Sequence, residues 1–71
     1  MEILIKFGER IAFLRKERGL SQEKFALKIG MDRAYYSSIE NGKHSVTLEK
    51  IAIIAKGLDV EIRELFEEEN K

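Results

Sequence analysis

The stretch Gln22-Glu23-Lys24-Phe25-Ala26-Leu27-Lys28-Ile29-Gly30-Met31-Asp32-Arg33-Ala34-Tyr35-Tyr36-Ser37-Ser38-Ile39-Glu40-Asn41 decides how this chain is read. Phe25, Ala26 and Ile29 recur at helical spacing, and so do Tyr36 and Ile39. Ser21 stands before the first segment and Asp32 before the second, each placed to accept a backbone N–H as an N-cap. Glu23 sits in a first turn, where the helix dipole favours an anion. Gly30 ends the first segment and supplies a positive φ for a tight turn. Two helices joined by about three residues must cross steeply. Ala26 is small where the second helix of the chain has to approach the first.

Working outward, Phe7, Ile11 and Leu14 form one helical stripe that Leu4 extends backward, and Gly19 ends that helix as a C-cap glycine. On the other side, Thr47 is an N-cap for a helix whose inward stripe is Leu48, Ile51, Ile54, Ala55 and Leu58. Asp59 occupies a left-handed position after it, a state Asp tolerates better than most residues. A short last helix carries Ile62, Leu65 and Phe66, and Glu67 to Lys71 reads as a frayed acidic tail. The expected fold is therefore all-α, a compact bundle of five short helices forming a single domain over residues 1–71.

The totals narrow the function. A chain of 71 residues without cysteine has neither disulfide nor thiolate metal site to staple it, and its one histidine is too few for a zinc site. A domain this small hides only about 60% of its unfolded surface, so association with a second copy would help it. No apolar run reaches the roughly 20 residues of a membrane helix, and the apolar start Ile3-Leu4-Ile5 is too short for a secretory signal, so a cytoplasmic location is expected. Charged residues make up 37% of the chain and the formal net charge is zero. That zero is divided: residues 1–43 hold nine Lys/Arg against six Asp/Glu, and residues 44–71 hold four against seven. Such a split suits one face turned toward phosphate and an acidic end held elsewhere.

The chain resembles the phage repressor/Cro-like (Xre-type) helix-turn-helix regulators. The carriers are Leu14-Arg15-Lys16-Glu17-Arg18-Gly19-Leu20-Ser21-Gln22-Glu23, then Ala26 and Gly30, then Ile39-Glu40-Asn41-Gly42-Lys43, then Leu58 and Leu65-Phe66. The pieces Asp32-Arg33-Ala34-Tyr35 and Gly42-Lys43-His44-Ser45-Val46-Thr47-Leu48 are most similar to controller proteins of restriction-modification systems. The resemblance covers Phe7 to Phe66, with the helix-turn-helix at about residues 22–41. It implies a lambda-repressor-like fold and a sequence-specific transcriptional regulator acting on palindromic operator DNA. Two departures stand out: Tyr36 replaces the usual Ile or Val, and Asp59 replaces the usual Gly.

What the resemblance implies for single residues agrees with their chemistry. Arg33, Ala34 and Ser38 would face the major groove. There Arg33 can pair with guanine O6 and N7, Ala34 can touch a thymine methyl, and Ser38 can donate or accept. Gln22, Tyr35, Ser37, Asn41, Lys43 and His44 would meet the DNA backbone, where contacts position the protein without reading sequence. Arg15 and Glu40 match an ion pair that joins the first and third helices, a bidentate guanidinium–carboxylate contact of structural role. Ile53, normally polar in the family, together with Ile62, Leu65 and Phe66 marks a homodimer patch within about residues 48–66. No cofactor, metal or small-molecule ligand is expected. An enzyme has little support, because Ser37 and Ser38 lack a His/Asp arrangement and no Gly-rich phosphate loop occurs. The competing reading is an antitoxin-like protein-interaction module with secondary DNA binding, since the fold alone serves both.

Overall fold

A computed structural model describes residues 1–67 of the chain. Four α-helices and one 3-10 helix follow in order: α1 Glu2–Glu17, α2 Gln22–Lys28, α3 Arg33–Glu40, α4 Leu48–Leu58 and the 3-10 helix Ile62–Phe66. Helix is the only regular structure among the described residues. The acidic tail expected from Glu67 onward lies, after Glu67 itself, outside the described residues.

The helix starts are where the polar residues placed them. Ser21 Oγ accepts from Lys24 N at 3.0 Å, Asp32 Oδ2 from Tyr35 N at 3.0 Å, and Thr47 Oγ1 from Lys50 N at 3.2 Å. Each satisfies an N–H that has no partner within its own helix. Asp59 adopts the left-handed state after α4, with φ 61°. Gly30, at φ 69°, makes the turn between α2 and α3, and Met31 N closes it by donating to Ala26 O at 2.9 Å.

One core holds the elements together. Phe7, Ile11 and Leu14 of α1, Phe25 and Ala26 of α2, Tyr36 and Ile39 of α3, Ile54, Ala55 and Leu58 of α4, and Leu65 of the 3-10 helix are all buried in it. Burial of a Phe, Leu or Ile side chain stabilises by about 1.5–3 kcal/mol against exposure, and the two alanines contribute less.

Three expectations are corrected. Leu48 is not in the inward stripe: it is 82% exposed, because it is the first residue of α4 and the helix turns inward only from Ile51. The fifth helix is a 3-10 turn, five residues long. That tighter winding swings Leu65 under the bundle, where it is 0% exposed, so Leu65 is a core residue and has no surface left to offer a partner.

Candidate nucleic-acid interface

Helix α3 is fixed in place from beneath by a buried polar cluster. The Arg15 guanidinium grips the Glu40 carboxylate with two bonds, Nε to Oε2 at 2.7 Å and Nη2 to Oε1 at 3.1 Å. Its third nitrogen, Nη1, donates to Leu20 O at 2.6 Å. Gln22 Nε2 donates to Glu40 Oε1 at 2.7 Å, and the Tyr36 hydroxyl donates to Oε2 at 2.5 Å. Glu40 thus accepts four hydrogen bonds, from α1, α2 and its own helix. Among the described residues no buried side-chain nitrogen or oxygen lacks a partner. A buried ion pair is tolerable on that condition, because its desolvation must be met by bonds of good geometry.

The titration of the cluster follows from these contacts. Burial alone would push the Glu40 carboxyl up, but the bonds from Arg15, Tyr36 and Gln22 outweigh it and hold the group below its ordinary range. The bond to Glu40 raises Arg15 further, against the opposing effect of burial. Burial, and then the bond to Glu40, push the Tyr36 hydroxyl well above the ordinary phenol range. The cluster is therefore ionic at Arg15 and Glu40 and neutral at Tyr36 throughout the physiological range.

Helix α1 crosses α3 closely enough to need a glycine. A Cβ at Gly8 would fall onto the carbonyl oxygens of Ile39 and Glu40, at the end of α3 where the ion pair sits. Arg15–Glu40 and Gly8 thus seat the same end of α3 from one helix.

Above this support lies the exposed surface. Arg33 and Ala34 open α3 and are exposed, and neither Arg33 nor Lys43 has a carboxylate partner among the described residues. Tyr35, Ser37 and Ser38 are half-buried along the same helix, and Asn41, Lys43 and His44 are exposed just beyond it. Ser38 Oγ donates to Tyr35 O at 2.6 Å and lies 2.6 Å from His44 Nδ1, while the His44 ring sits beside the Tyr35 ring at 5.7 Å between centroids. Gln22 spends one of its amide hydrogens on Glu40 and keeps the other.

The charge split also acquires a different meaning. Arg18 Nε donates to Leu58 O at 2.8 Å and Lys28 Nζ to Gly57 O at 2.9 Å, so two of the basic residues cap the end of α4. Arg10 Nε donates to Glu64 O at 2.8 Å and holds the 3-10 helix. With Arg15 inside, much of the positive excess in residues 1–43 ties elements together.

The residues expected in the dimer patch are only partly gathered. Ile53 lines a hollow with Lys28, Ile29 and Lys56. Phe66 stacks on Phe7 at 5.2 Å and lines a different hollow with Ile3, Val46 and Ile51. Ile53, Ile62 and Phe66 are 40%, 47% and 48% exposed.

The family profile described as helix-turn-helix matches residues 11–65. The chain belongs to the helix-turn-helix family. This helix-turn-helix protein is 49% identical over 71 residues to the control protein C.MunI of a Mycoplasma species, covering 99% of this chain and 96% of that one. The crystal structure of the restriction-modification controller protein C.AhdI from Aeromonas hydrophila superposes with a TM-score of 0.90 at 45% identity, over 93% of this chain and all of that one, 100%. The controller protein C.Esp1396I, solved as a tetramer with its natural 35-base-pair operator, matches with a TM-score of 0.80 at 32% identity, over 94% of this chain and 99% of that one. Among the described residues no group of His, Asp and Glu is placed to hold a metal, and no helix is long and apolar enough to cross a membrane.

Two features of the helix-turn-helix support escaped the sequence reading. Tyr36 entered it as an apolar substitution, although its spacing of four from Glu40 puts the hydroxyl and the carboxylate on one helix face. Gly8 gave no signal, since it stands inside a helix with no turn residues near it.

Proposed function

We propose that this protein is a sequence-specific transcriptional regulator that binds palindromic operator DNA as a homodimer, and that it is the controller of a restriction-modification system. The observation that carries the reading is the arrangement at α3. An exposed helix start bearing an arginine with no carboxylate partner among the described residues is backed by a buried, fully bonded ion pair that fixes the helix against two others. A reading helix needs that rigidity, because a base-edge contact is lost when its donor drifts. The likeness to C.MunI and C.AhdI across almost the whole chain supports the controller role, and the C.Esp1396I–operator complex supports duplex DNA as the partner.

In this reading α3 enters the major groove. Arg33 reads guanine, Ala34 lies against a thymine methyl, and Ser38 keeps only an oxygen lone pair for a base edge, because its proton goes to Tyr35 O. The second amide hydrogen of Gln22, the Tyr35 hydroxyl, Ser37, Asn41, Lys43 and His44 hold the backbone. Ile53, Ile62 and Phe66 supply the apolar contact between protomers, which spaces two α3 helices about 34–36 Å apart. A cytoplasmic location goes with this reading, because operator DNA is the partner it names. A gel-shift series on the DNA upstream of its own gene tests the reading. A retarded band that weakens steeply with salt and outcompetes random duplex supports it, and equal affinity for both duplexes overturns it.

A further inference from the structure

The loop after α3 carries the only histidine of the chain, and its neighbours decide which ring nitrogen does what. His44 Nδ1 lies 2.6 Å from Ser38 Oγ, and Ser38 Oγ lies 2.6 Å from the Tyr35 carbonyl oxygen. The Tyr35 carbonyl only accepts and Ser38 has a single hydroxyl proton, so both 2.6 Å contacts are hydrogen bonds only when that proton goes to Tyr35 and the Ser38 oxygen is left as an acceptor facing the ring. His44 must then donate from Nδ1. A neutral imidazole has one N–H, and with that hydrogen on Nδ1 its Nε2 is a bare acceptor. A phosphate oxygen also only accepts. The neutral ring therefore has nothing to give a phosphate from Nε2, whereas the imidazolium donates there and adds a positive charge.

We propose that Ser38 is a positioning residue that locks the tautomer of His44, so that His44 engages a backbone phosphate only as the imidazolium and each protomer takes up a proton when it binds DNA. This rests on the reading that α3 and the loop after it meet DNA. The groups facing His44 are the Ser38 hydroxyl and the Tyr35 ring on α3, with the exposed Lys43 beside it in the loop. Among the described residues no carboxylate pairs with it. The anion that favours the charged form arrives with the DNA. Operator occupancy becomes dependent on pH in the window where histidine changes charge, about pH 5 to 8.

The test is fluorescence anisotropy of a labelled non-operator duplex, on which base readout by Ser38 plays no part, from pH 5.5 to 8.5 at fixed salt. The wild-type protein is expected to lose affinity as pH rises, by roughly threefold to tenfold per bound protomer, the effect of one exposed charge-assisted hydrogen bond. Its salt slope is expected to be steeper at low pH by about 0.9 per protomer. His44→Gln, which can donate at every pH, gives a flat profile. Ser38→Ala releases the neutral ring into the other tautomer, so affinity at high pH rises above wild type and the profile flattens. A wild-type profile parallel to that of His44→Gln overturns the proton uptake, and a full wild-type slope in Ser38→Ala overturns the lock. Nitrogen NMR of His44 in the free wild-type protein at pH 8.5 checks the lock without a substitution: hydrogen on Nδ1 is expected, and hydrogen on Nε2 contradicts it. Salt-dependent binding with no response to pH removes this inference alone. Absence of salt-dependent binding in all three proteins removes the DNA-binding reading and this inference with it.

Discussion

Tyr36→Phe removes one oxygen from the centre of the molecule and leaves the ring in place. Tyr36 is 0% exposed and packs edge-to-face on Phe25, 5.2 Å between centroids, so the phenylalanine keeps the packing. Lost is the 2.5 Å bond to Glu40 Oε2, which still receives Arg15 Nε at 2.7 Å. A bond to a charged acceptor contributes about 1.5–3 kcal/mol, and the low end applies because the hydroxyl disappears with its bond and no orphan is left behind. The expected loss is about 1.5 kcal/mol, equivalent to a Tm lower by about 6–12 °C in a domain of this size. Thermal unfolding by circular dichroism at one protomer concentration reads it, since association shifts Tm by mass action. The pH profile identifies the cause. The hydroxyl is raised in the folded state, so its contribution is complete below the unfolded tyrosine pKa of about 10 and is lost as pH rises beyond it. The gap between wild type and Tyr36→Phe is therefore expected to be constant near neutrality and to narrow above about pH 10. A gap below about 0.3 kcal/mol at pH 7, or one that widens in alkali, refutes the role given to this bond.

The other predictions concern separate parts of the molecule. Gly8→Ala drives a methyl into the carbonyls of Ile39 and Glu40 and is expected to cost more than about 2 kcal/mol, seen as a lowered urea midpoint. Stability gained from Glu40 is present above the unfolded carboxyl pKa of about 4.3 and is lost as pH falls below it, so acid unfolding is expected to begin there and to be shallower in Glu40→Gln. Lys43→Ala weakens binding to all duplexes alike and lowers the salt slope by about 1 per protomer, measured by salt titration of the complex. Phe66→Asp and Ile53→Asp are expected to leave a folded monomer by sedimentation, whereas Leu65→Asp unfolds the chain, because Leu65 is 0% exposed and the other two are partly exposed.

Local signals in the sequence mapped onto local structure. Ser21, Asp32 and Thr47 cap the helices they precede, and Gly30 and Asp59 take the left-handed states their chemistry allows. Arg15 and Glu40 were legible as a pair only through the resemblance, since nothing about two charges 25 residues apart says that they meet. What stayed hidden depends on where elements cross. Gly8 matters because of a carbonyl belonging to a helix some thirty residues on, which no pattern around Gly8 encodes. Leu65 was grouped with Ile53, Ile62 and Phe66 as a dimer contact because all four are apolar near the end of the chain, and apolar character does not tell a core residue from a surface patch: Leu65 is 0% exposed within the 3-10 segment. The basic residues of the first half looked like a phosphate-facing charge, yet Arg18 and Lys28 bond the carbonyls at the end of α4. Composition counts charges and cannot tell which of them the fold consumes.

Sequence-specific reading by α3 is tested most directly by selecting bound DNA from a random duplex pool with the wild-type protein and with Arg33→Ala in parallel. The account predicts an enriched palindrome whose half-sites are centred about 34–36 Å apart, with a guanine in each that the variant no longer requires. A pool that remains random with the wild type, or a guanine equally enriched by Arg33→Ala, would contradict it.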